Sequence, residues 1–522
     1  MKKIPLLLLS KLRDLPGIDW AILGGGLATY ISLAWSHISA SGIWFDEAFS
    51  AYLMRFNFID IARYTATDVH PPLYYWMLKL WSGLFGASEI ALRSMSVLFG
   101  AVAIVFGFLL VKRLFGRKAS TVSLLLLVIS PMLIRYGEEA RMYTMAAAIT
   151  LAATYALTFA VNTKKRLPWV IYGILVSLGM WTHYFTSLVW LTHWAWRLVV
   201  KRQTGKRGKD LKIIFFSNEW IFAHIIAVVM FVPWGIVMLI QLAIVQGGGF
   251  WIGPVSASSF TNYMTNLLFY LEHEPAVGLY GTALAAIIAV LSIFGLKLYR
   301  SLDIISRQNY LLIIFLAFVP VILLFIISTP PIRSSFVERY LIPSVIGFSL
   351  FAGVTMTLGF AKLKAVWRVL AVGLIASCMV FGIANVYYYG NFNKNNPTRV
   401  MTREVVQTIQ ASAPAGEPII VGSPWVFYEA IFYNTARNPI YFVDARTDYK
   451  ISSLDMLREN DNFKIKDLNA FIKDYPKVWY IDYSADSQLS PPNSDWKEIQ
   501  NFSVFDNIVY KDPYKAAEYQ TN

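Results

Sequence analysis

The sequence predicts a mainly α-helical, polytopic membrane protein with a small C-terminal α/β domain. Three observations lead there. Of the 522 residues, 56% are hydrophobic and the mean hydropathy is +0.50, above the roughly 45–50% apolar content of soluble domains. The apolar residues gather in repeated stretches of about twenty, the length a helix needs to cross a bilayer. After residue 390 the pattern changes to short strand-like runs alternating with amphipathic helical ones.

About eleven stretches of spanning length run from 20–38 to 369–388. The loops between them sort by charge. Segments 1–19, 112–118, 164–166, 197–219, 297–307 and 362–368 carry 24 Lys/Arg and 5 Asp/Glu, and the rest of the chain carries 22 and 27. Positive charge is retained on the cytoplasmic side. These six segments are therefore expected inside, with the N-terminus. The loop around Asp46 and the C-terminal domain are expected outside the cell or inner membrane. The net charge of +14 sits in short loops between apolar segments, which excludes a nucleic-acid-binding role. The one cysteine, Cys378, lies inside an apolar run, so no disulfide framework or thiolate metal site is expected. Residues 1–10 faintly resemble a signal peptide, but Lys11 and Arg13 follow at once, and the segment reads as a cytoplasmic lead-in.

Residues 71–87 would break the charge alternation if they crossed. They read as an interfacial helix begun by Pro71 or Pro72, with Lys79 reaching out to water. Two domains are expected, 1–390 in the membrane and 391–522 outside it, joined by a linker at Gly390–Pro397. Strands are expected at Pro418–Val421, Pro439–Val443, Val478–Ile481 and Asn507–Tyr510, and helices near 399–411, 424–434 and 464–474.

The candidate chemistry lies in the outer loops. Trp44-Phe45-Asp46-Glu47 follows the first span, and a carboxylate at the headgroup level is placed to take a proton from an attacking hydroxyl. Asp68-Val69-His70-Pro71-Pro72 reads as a turn before a helix, or as a histidine beside a phosphate with an acid near a sugar hydroxyl or a metal. Arg135–Tyr143 crowds charges between two spans. On a helix Glu138 and Arg141 would share a face as an ordinary surface pair, whereas at a site Arg141 would grip phosphate oxygens through its planar fork. His183 and Arg339 stand at further outer turns, and each is also readable as an interfacial residue. Glu272-His273-Glu274 has the composition of a metal site but reads as a solvated loop.

Taken as a set, Phe45-Asp46-Glu47, Asp68-Val69-His70-Pro71-Pro72-Leu73, Tyr136–Tyr143, Thr182-His183-Tyr184 and Glu338–Pro343 resemble the GT-C membrane glycosyltransferases. Within that class the chain is similar to bacterial members of the group of protein O-mannosyltransferases and lipid A aminoarabinose transferases. The motifs cover residues 40–345. The resemblance implies an inverting transfer, metal-independent or metal-assisted, from a polyprenyl-phosphate sugar to a hydroxyl of a glycan, lipid or protein acceptor in the cell envelope. It assigns no certain cofactor and no metal ligand. It implies catalytic roles for Asp46 and Glu47, and donor-phosphate binding by Asp68, His70, Arg141 and Arg339. Glu138, Glu139, His183 and Tyr143 are implied in support. The aminoarabinose transferases carry a lysine where His70 stands, so His70 points the analogy toward a hexose such as mannose. The chain departs from the eukaryotic mannosyltransferases in lacking a large inserted β-trefoil loop. The competing readings are a polymerase or ligase of lipid-linked saccharides, and a flippase. A flippase calls for ionisable groups near the bilayer midplane, and the charges here lie at the membrane edge.

Overall fold

The structure, a computed structural model, describes residues 16–163, 165–204, 218–249, 252–271, 278–388, 401–422, 424–435, 437–443, 461–483, 489, 491–503 and 514–521. The helices run α1 Gly17–Ser36, α2 Phe45–Leu53, α3 Phe58–Ala66, α4 Leu73–Phe85, α5 Glu89–Phe115, α6 Arg117–Val128 and α7 Pro131–Gly137. They continue as α8 Tyr143–Ala160, α9 Arg166–Thr182, α10 Ser187–Thr204, α11 Asn218–Ile244, α12 Ala257–Asn266, α13 Gly278–Ser301 and α14 Ile304–Ile327. After these come α15 Ile342–Val354, α16 Ala365–Tyr388, α17 Thr402–Ser412, α18 Pro424–Tyr433 and α19 Leu468–Asp474. Two compact units emerge. One is Met1–Ser36, His70–Tyr74 and Arg93–Val386, and the other is His37–Val69, Tyr75–Leu92 and Tyr387–Asn522.

The first unit is a helical bundle. All eleven apolar stretches are helical, and 7 helices among the described residues are long and apolar enough to cross a membrane alone, or 8 with α6 and α7 counted as one bent span. The helix α9 has 17 residues, about 25 Å of rise, which is short of a bilayer core of about 30 Å. Burial separates the centre from the rim. The apolar window of α8 is 94% buried and that of Glu338–Gly359 89%, against 17% for Asn218–Gly247 and 22% for α13. The rim helices therefore offer apolar side chains such as Val229, Ile236 and Leu279 outward, as lipid-facing helices do.

Close approach of backbones builds the centre. A side-chain carbon at Gly347 of α15 would lie 2.7 Å from the Leu316 carbonyl carbon of α14, and one at Gly353 would lie 2.6 Å from the Ser123 Cα of α6. Small residues at such crossings take the place of the hydrophobic drive that lipid does not supply. Tyr30 of α1 fits in the same way, its hydroxyl lying where a Cβ at Gly100 or Gly137 would stand. One ion cluster ties helix ends together. Asp19, buried in the first turn of α1, binds Lys112 of α5 and, at 2.5 Å, Arg117 of α6. An acid there also suits the helix dipole.

The second unit holds a six-stranded sheet: β1 Ile419–Val421, β2 Ile440–Val443, β3 Lys464–Ile465, β4 Lys477–Tyr483, β5 Lys497–Ser503 and β6 Tyr514–Gln520. Its order is β3-β2-β1-β4-β6-β5. The first four pair in parallel, and β6 runs antiparallel to both β4 and β5. Ile420, Val478, Tyr480 and Trp496 lie in its core. The expected strands at 418–421, 439–443 and 478–481 are present. The one expected at Asn507–Tyr510, the linker Gly390–Pro397 and Glu272-His273-Glu274 lie outside the described residues.

The same unit contains α2, α3 and most of α4. Asn57 caps α3 by accepting from the Ile59 and Asp60 amides at 2.9 Å each. With 13 residues, α4 is about 20 Å long, too short to span. Its Trp76 donates to the Phe58 carbonyl at 2.9 Å. Lys79 does not extend to water as expected. It donates to the Met54 carbonyl at 3.0 Å, at the C-terminal cap of α2, where orphan carbonyls and the helix dipole favour a cation.

The centre of the bundle therefore has no room for branching. Gly347→Val and Gly353→Val should each lower stability by about 1–3 kcal/mol or more, the usual range for overpacking. The check is the melting temperature of detergent-purified protein, with the rim substitution Gly373→Val, where no atom lies within 4 Å, as the neutral control.

Candidate active site

The helix α7 starts with a proline, which cannot continue α6, and the two are bent by 56° at that break. It ends at Gly137 and α8 begins at Tyr143, so residues 138–142 form a turn. Glu138 and Arg141 therefore do not share a helical face. Arg135 instead pairs with Glu139 at 2.8 Å. Arg135, Glu138, Glu139 and Arg141 are all almost wholly buried. The Arg141 carbonyl accepts from Ser96 of α5 at 3.2 Å, which fixes the turn against the bundle.

Around this turn three other chain segments meet. His183, in the turn between α9 and α10, has its ring 5.7 Å from that of His70, 5.9 Å from Tyr143 and 4.7 Å from Tyr340. Tyr340 stacks on Phe185 at 4.8 Å. The Arg339 guanidinium stands 5.8 Å from the Tyr143 ring. Burial, and then the positive side of His70, Arg141 and Arg339, hold His183 well below the usual histidine range. It is therefore neutral at physiological pH. Its Nδ1 accepts the Phe185 amide at 3.3 Å, so the remaining proton belongs on Nε2, which becomes a donor.

Glu338 accepts from Asn266, at the end of α12, at 2.6 Å. Tyr263, one turn earlier and buried, has its hydroxyl held well above its ordinary value by burial and by the charge of Glu338. Asn266 and Tyr263 carry no motif that sequence reasoning could use. The fully buried Arg93 of α5 was likewise unmarked, although an arginine at the edge of an apolar span is itself a signal. The structure thus brings together His70, Glu138, Glu139, Arg141, Tyr143, His183 and Arg339 in the first unit.

Asp46, Glu47 and Asp68 belong to the second unit. Asp46 and Glu47 open α2, where acids suit the helix N-terminus. Asp46 is half-buried and Glu47 fully buried. The Glu47 carboxylate accepts the Trp44 amide at 3.4 Å, and Ser50 bonds the Asp46 carbonyl at 2.8 Å. Asp68 is half-buried in the turn after α3. Among the described residues no three His, Cys, Asp or Glu side chains group as metal ligands do.

Chemically, the cluster around His183 offers two guanidinium groups and imidazole donors in a largely dry setting. That is an arrangement able to hold a phosphate and to stabilise charge growing on it.

Residues 69–237 match the family described as dolichyl-phosphate-mannose-protein mannosyltransferase. No curated protein sequence matches. In fold the chain is similar to ArnT from Cupriavidus metallidurans in the apo state, with a TM-score of 0.62 at 13% identity over 96% of this chain and 98% of that one. It is similar also to the same protein bound to undecaprenyl phosphate, with a TM-score of 0.60 at 14% identity and the same coverage. The oligosaccharyltransferase of Archaeoglobus fulgidus tethered with an acceptor peptide gives 0.51 at 13% identity, over 89% of this chain and 69% of that one.

The buried pair Arg135–Glu139 should behave as a unit. Removing one partner, by Arg135→Met or Glu139→Met, should lower stability by about 3–5 kcal/mol, and the double substitution should recover part of that loss. Melting of the three variants in detergent measures it.

Proposed function

We propose that this chain, a membrane glycosyltransferase of the GT-C fold, transfers a sugar from a polyprenyl-phosphate carrier to a hydroxyl acceptor of the cell envelope. The observation that carries the donor class is the convergence of His70, Arg141 and Arg339 on a neutral, proton-donating His183. An apolar lipid tail demands a site reached from within the bilayer, and its phosphate demands these donors. The family match over residues 69–237 and the likeness to ArnT bound to undecaprenyl phosphate support the same donor class.

In the mechanism, Arg141, Arg339 and the imidazole N–H groups stabilise the negative charge that grows on the departing phosphate. The bond from the anomeric carbon to the phosphate oxygen breaks as the acceptor oxygen bonds to that carbon. Attack from the opposite face inverts its configuration. Asp46 takes the acceptor proton, the role its motif position implies, with Glu47, Asp68, Glu138, Glu139 and Tyr143 in support. A hexose, mannose foremost, is the sugar that His70 and the matched family favour. The asymmetry of Lys/Arg between alternate loops supports an N-terminus in the cytoplasm and chemistry on the outer side of the cell membrane.

The test is a transfer assay on detergent-purified protein with labelled polyprenyl-phosphate mannose and an envelope lipid extract. Free polyprenyl phosphate should appear with wild type and be lost with a folded Asp46→Asn. Arg339→Ala and Arg141→Ala should each cut turnover by about 10²–10³-fold, as loss of an oxyanion donor does, with Arg339→Lys intermediate. Release by Arg339→Ala equal to wild type would remove the phosphate role. Activity only with a diphosphate-linked oligosaccharide would replace the donor class.

A further inference from the structure

Within the second unit, the loop that leads into the Asp46 helix is held from a single carboxylate. Glu89 is the first residue of α5, and its side chain is 11% exposed. Its Oε2 accepts from the Arg403 guanidinium of α17 at 2.9 Å, and its Oε1 accepts from the Tyr433 hydroxyl of α18. Each of these partners also reaches the loop backbone. Arg403 Nη1 donates to the Ser39 carbonyl at 3.1 Å, and the Tyr433 oxygen accepts the Ile43 amide at 2.7 Å. Thr402 ties α17 to α18 by donating to the Glu429 carboxyl at 2.5 Å. The body of α2 is seated separately. The buried ring of Tyr428 meets Phe45 at 5.8 Å, Phe49 at 5.9 Å and Tyr52 at 5.2 Å, each edge-on.

We propose that Glu89 is a positioning residue for Asp46, acting through Arg403 and Tyr433 on the backbone of residues 39–43. The inference rests on the reading of Asp46 as the acceptor base.

The chemistry of each group fixes the direction of the bonds. A backbone amide nitrogen can only donate, so the Tyr433 oxygen accepts from Ile43 and turns its single hydrogen to Glu89. A guanidinium can only donate, so Arg403 serves the Ser39 carbonyl and the Glu89 carboxylate from the same nitrogen. Its other terminal nitrogen goes to Glu404 at 2.9 Å, which fixes the plane of the fork. Bonds that end on a charged group are the strong ones, and a chain of them reinforces each link. Both oxygens of Glu89 are used in this way, so one side chain governs two arms. Ser39 and Ile43 lie in the stretch between α1 and α2. With a carbonyl held at one end and an amide at the other, that stretch keeps one path. Trp44, next along, opens α2 by accepting the Glu47 and Ala48 amides at 2.9 Å each. A displaced Ile43 therefore turns the first helical turn, where Asp46 stands.

The experiment compares wild type with Tyr433→Phe, Glu89→Gln and the double variant in the transfer assay, with hydrogen exchange of a peptide covering residues 39–47. Tyr433→Phe keeps the ring and removes only the hydroxyl, so it should fold, and the exchange of the peptide should rise by about five- to tenfold, as loss of one such bond implies. Its kcat should fall by about tenfold or more while the KM for the lipid donor stays within about twofold, because the base and not the phosphate site has moved. Glu89→Gln offers one acceptor oxygen to two donors and should change both readouts in the same direction. The double variant should be close to the worse single one, since the two residues act through one another. The fraction of donor hydrolysed rather than transferred should rise in each variant, a ratio that does not depend on how much of the protein is folded. A folded Tyr433→Phe with exchange unchanged overturns the hold on the loop. Faster exchange with kcat and the hydrolysed fraction both unchanged leaves only a structural contact and overturns the positioning role. If a folded Asp46→Asn turns over like wild type, the base reading fails and the catalytic half of the proposal with it, and the exchange comparison decides by itself whether Glu89 holds this loop.

Discussion

Burying charge inside a membrane bundle is the constraint on which the site depends. The chain meets it by stopping a helix at Gly137 and restarting it at Tyr143. Charges crowded at the end of a span stay dry only where protein encloses them, and here Tyr30 of α1 and Ser96 of α5 pack against the turn. Arg135 and Glu139 pair across the start of the interruption, and the turn brings Arg141 beside His183. The proline after Ser130 and the glycine at 137 therefore set where these charges fall.

Rigidity around that turn comes from packing without side chains. Gly100 and Gly137 admit Tyr30, and Gly347 and Gly353 draw α15 onto α14 and α6. Since α15 follows directly on Glu338-Arg339-Tyr340, its seating fixes where the Arg339 guanidinium stands. The Asp19 cluster with Lys112 and Arg117 locks the ends of α1, α5 and α6 in the same rigid-body sense. The flexible-looking arginine is thus mounted on elements that cannot slide by a turn without steric collision.

Much of this was legible in the sequence, because hydrophobic runs and loop charge are collective signals. Eleven apolar stretches became helices, and three of the expected strands formed where β-branched and aromatic residues cluster. The motifs around His70, Glu138, Arg141, His183 and Arg339 marked segments that do meet. What escaped is local and relational. The strands β5 and β6, Lys497–Ser503 and Tyr514–Gln520, lack a continuous apolar run: β5 is an almost wholly exposed edge, and the buried β6 sets Ala516, Ala517 and Tyr519 among Lys515 and Glu518. Lys79 was assigned to water because its partner, the Met54 carbonyl, exists only once α2 has ended. Asn266 and Glu429 sit in segments with no charge pattern of their own, and their partners lie 72 and 27 residues away.

That last case bears on how the C-terminal region should be understood. A tail that begins after the last membrane helix reads as an independent domain, since its strands form one sheet with their own core. Yet the helix between β1 and β2 spends its aromatic face on residues 43–52 rather than on the sheet alone. Tyr428 and Tyr433 of α18 are each committed to residues of the segment that carries Asp46. A domain whose task was only to bind an acceptor would not need to seat a buried tyrosine ring against three aromatic residues of that segment. The arrangement makes sense if the sheet region serves as a mount that lets a short helix keep one orientation, and the placing of Asp46 then depends on residues almost four hundred positions later in the chain.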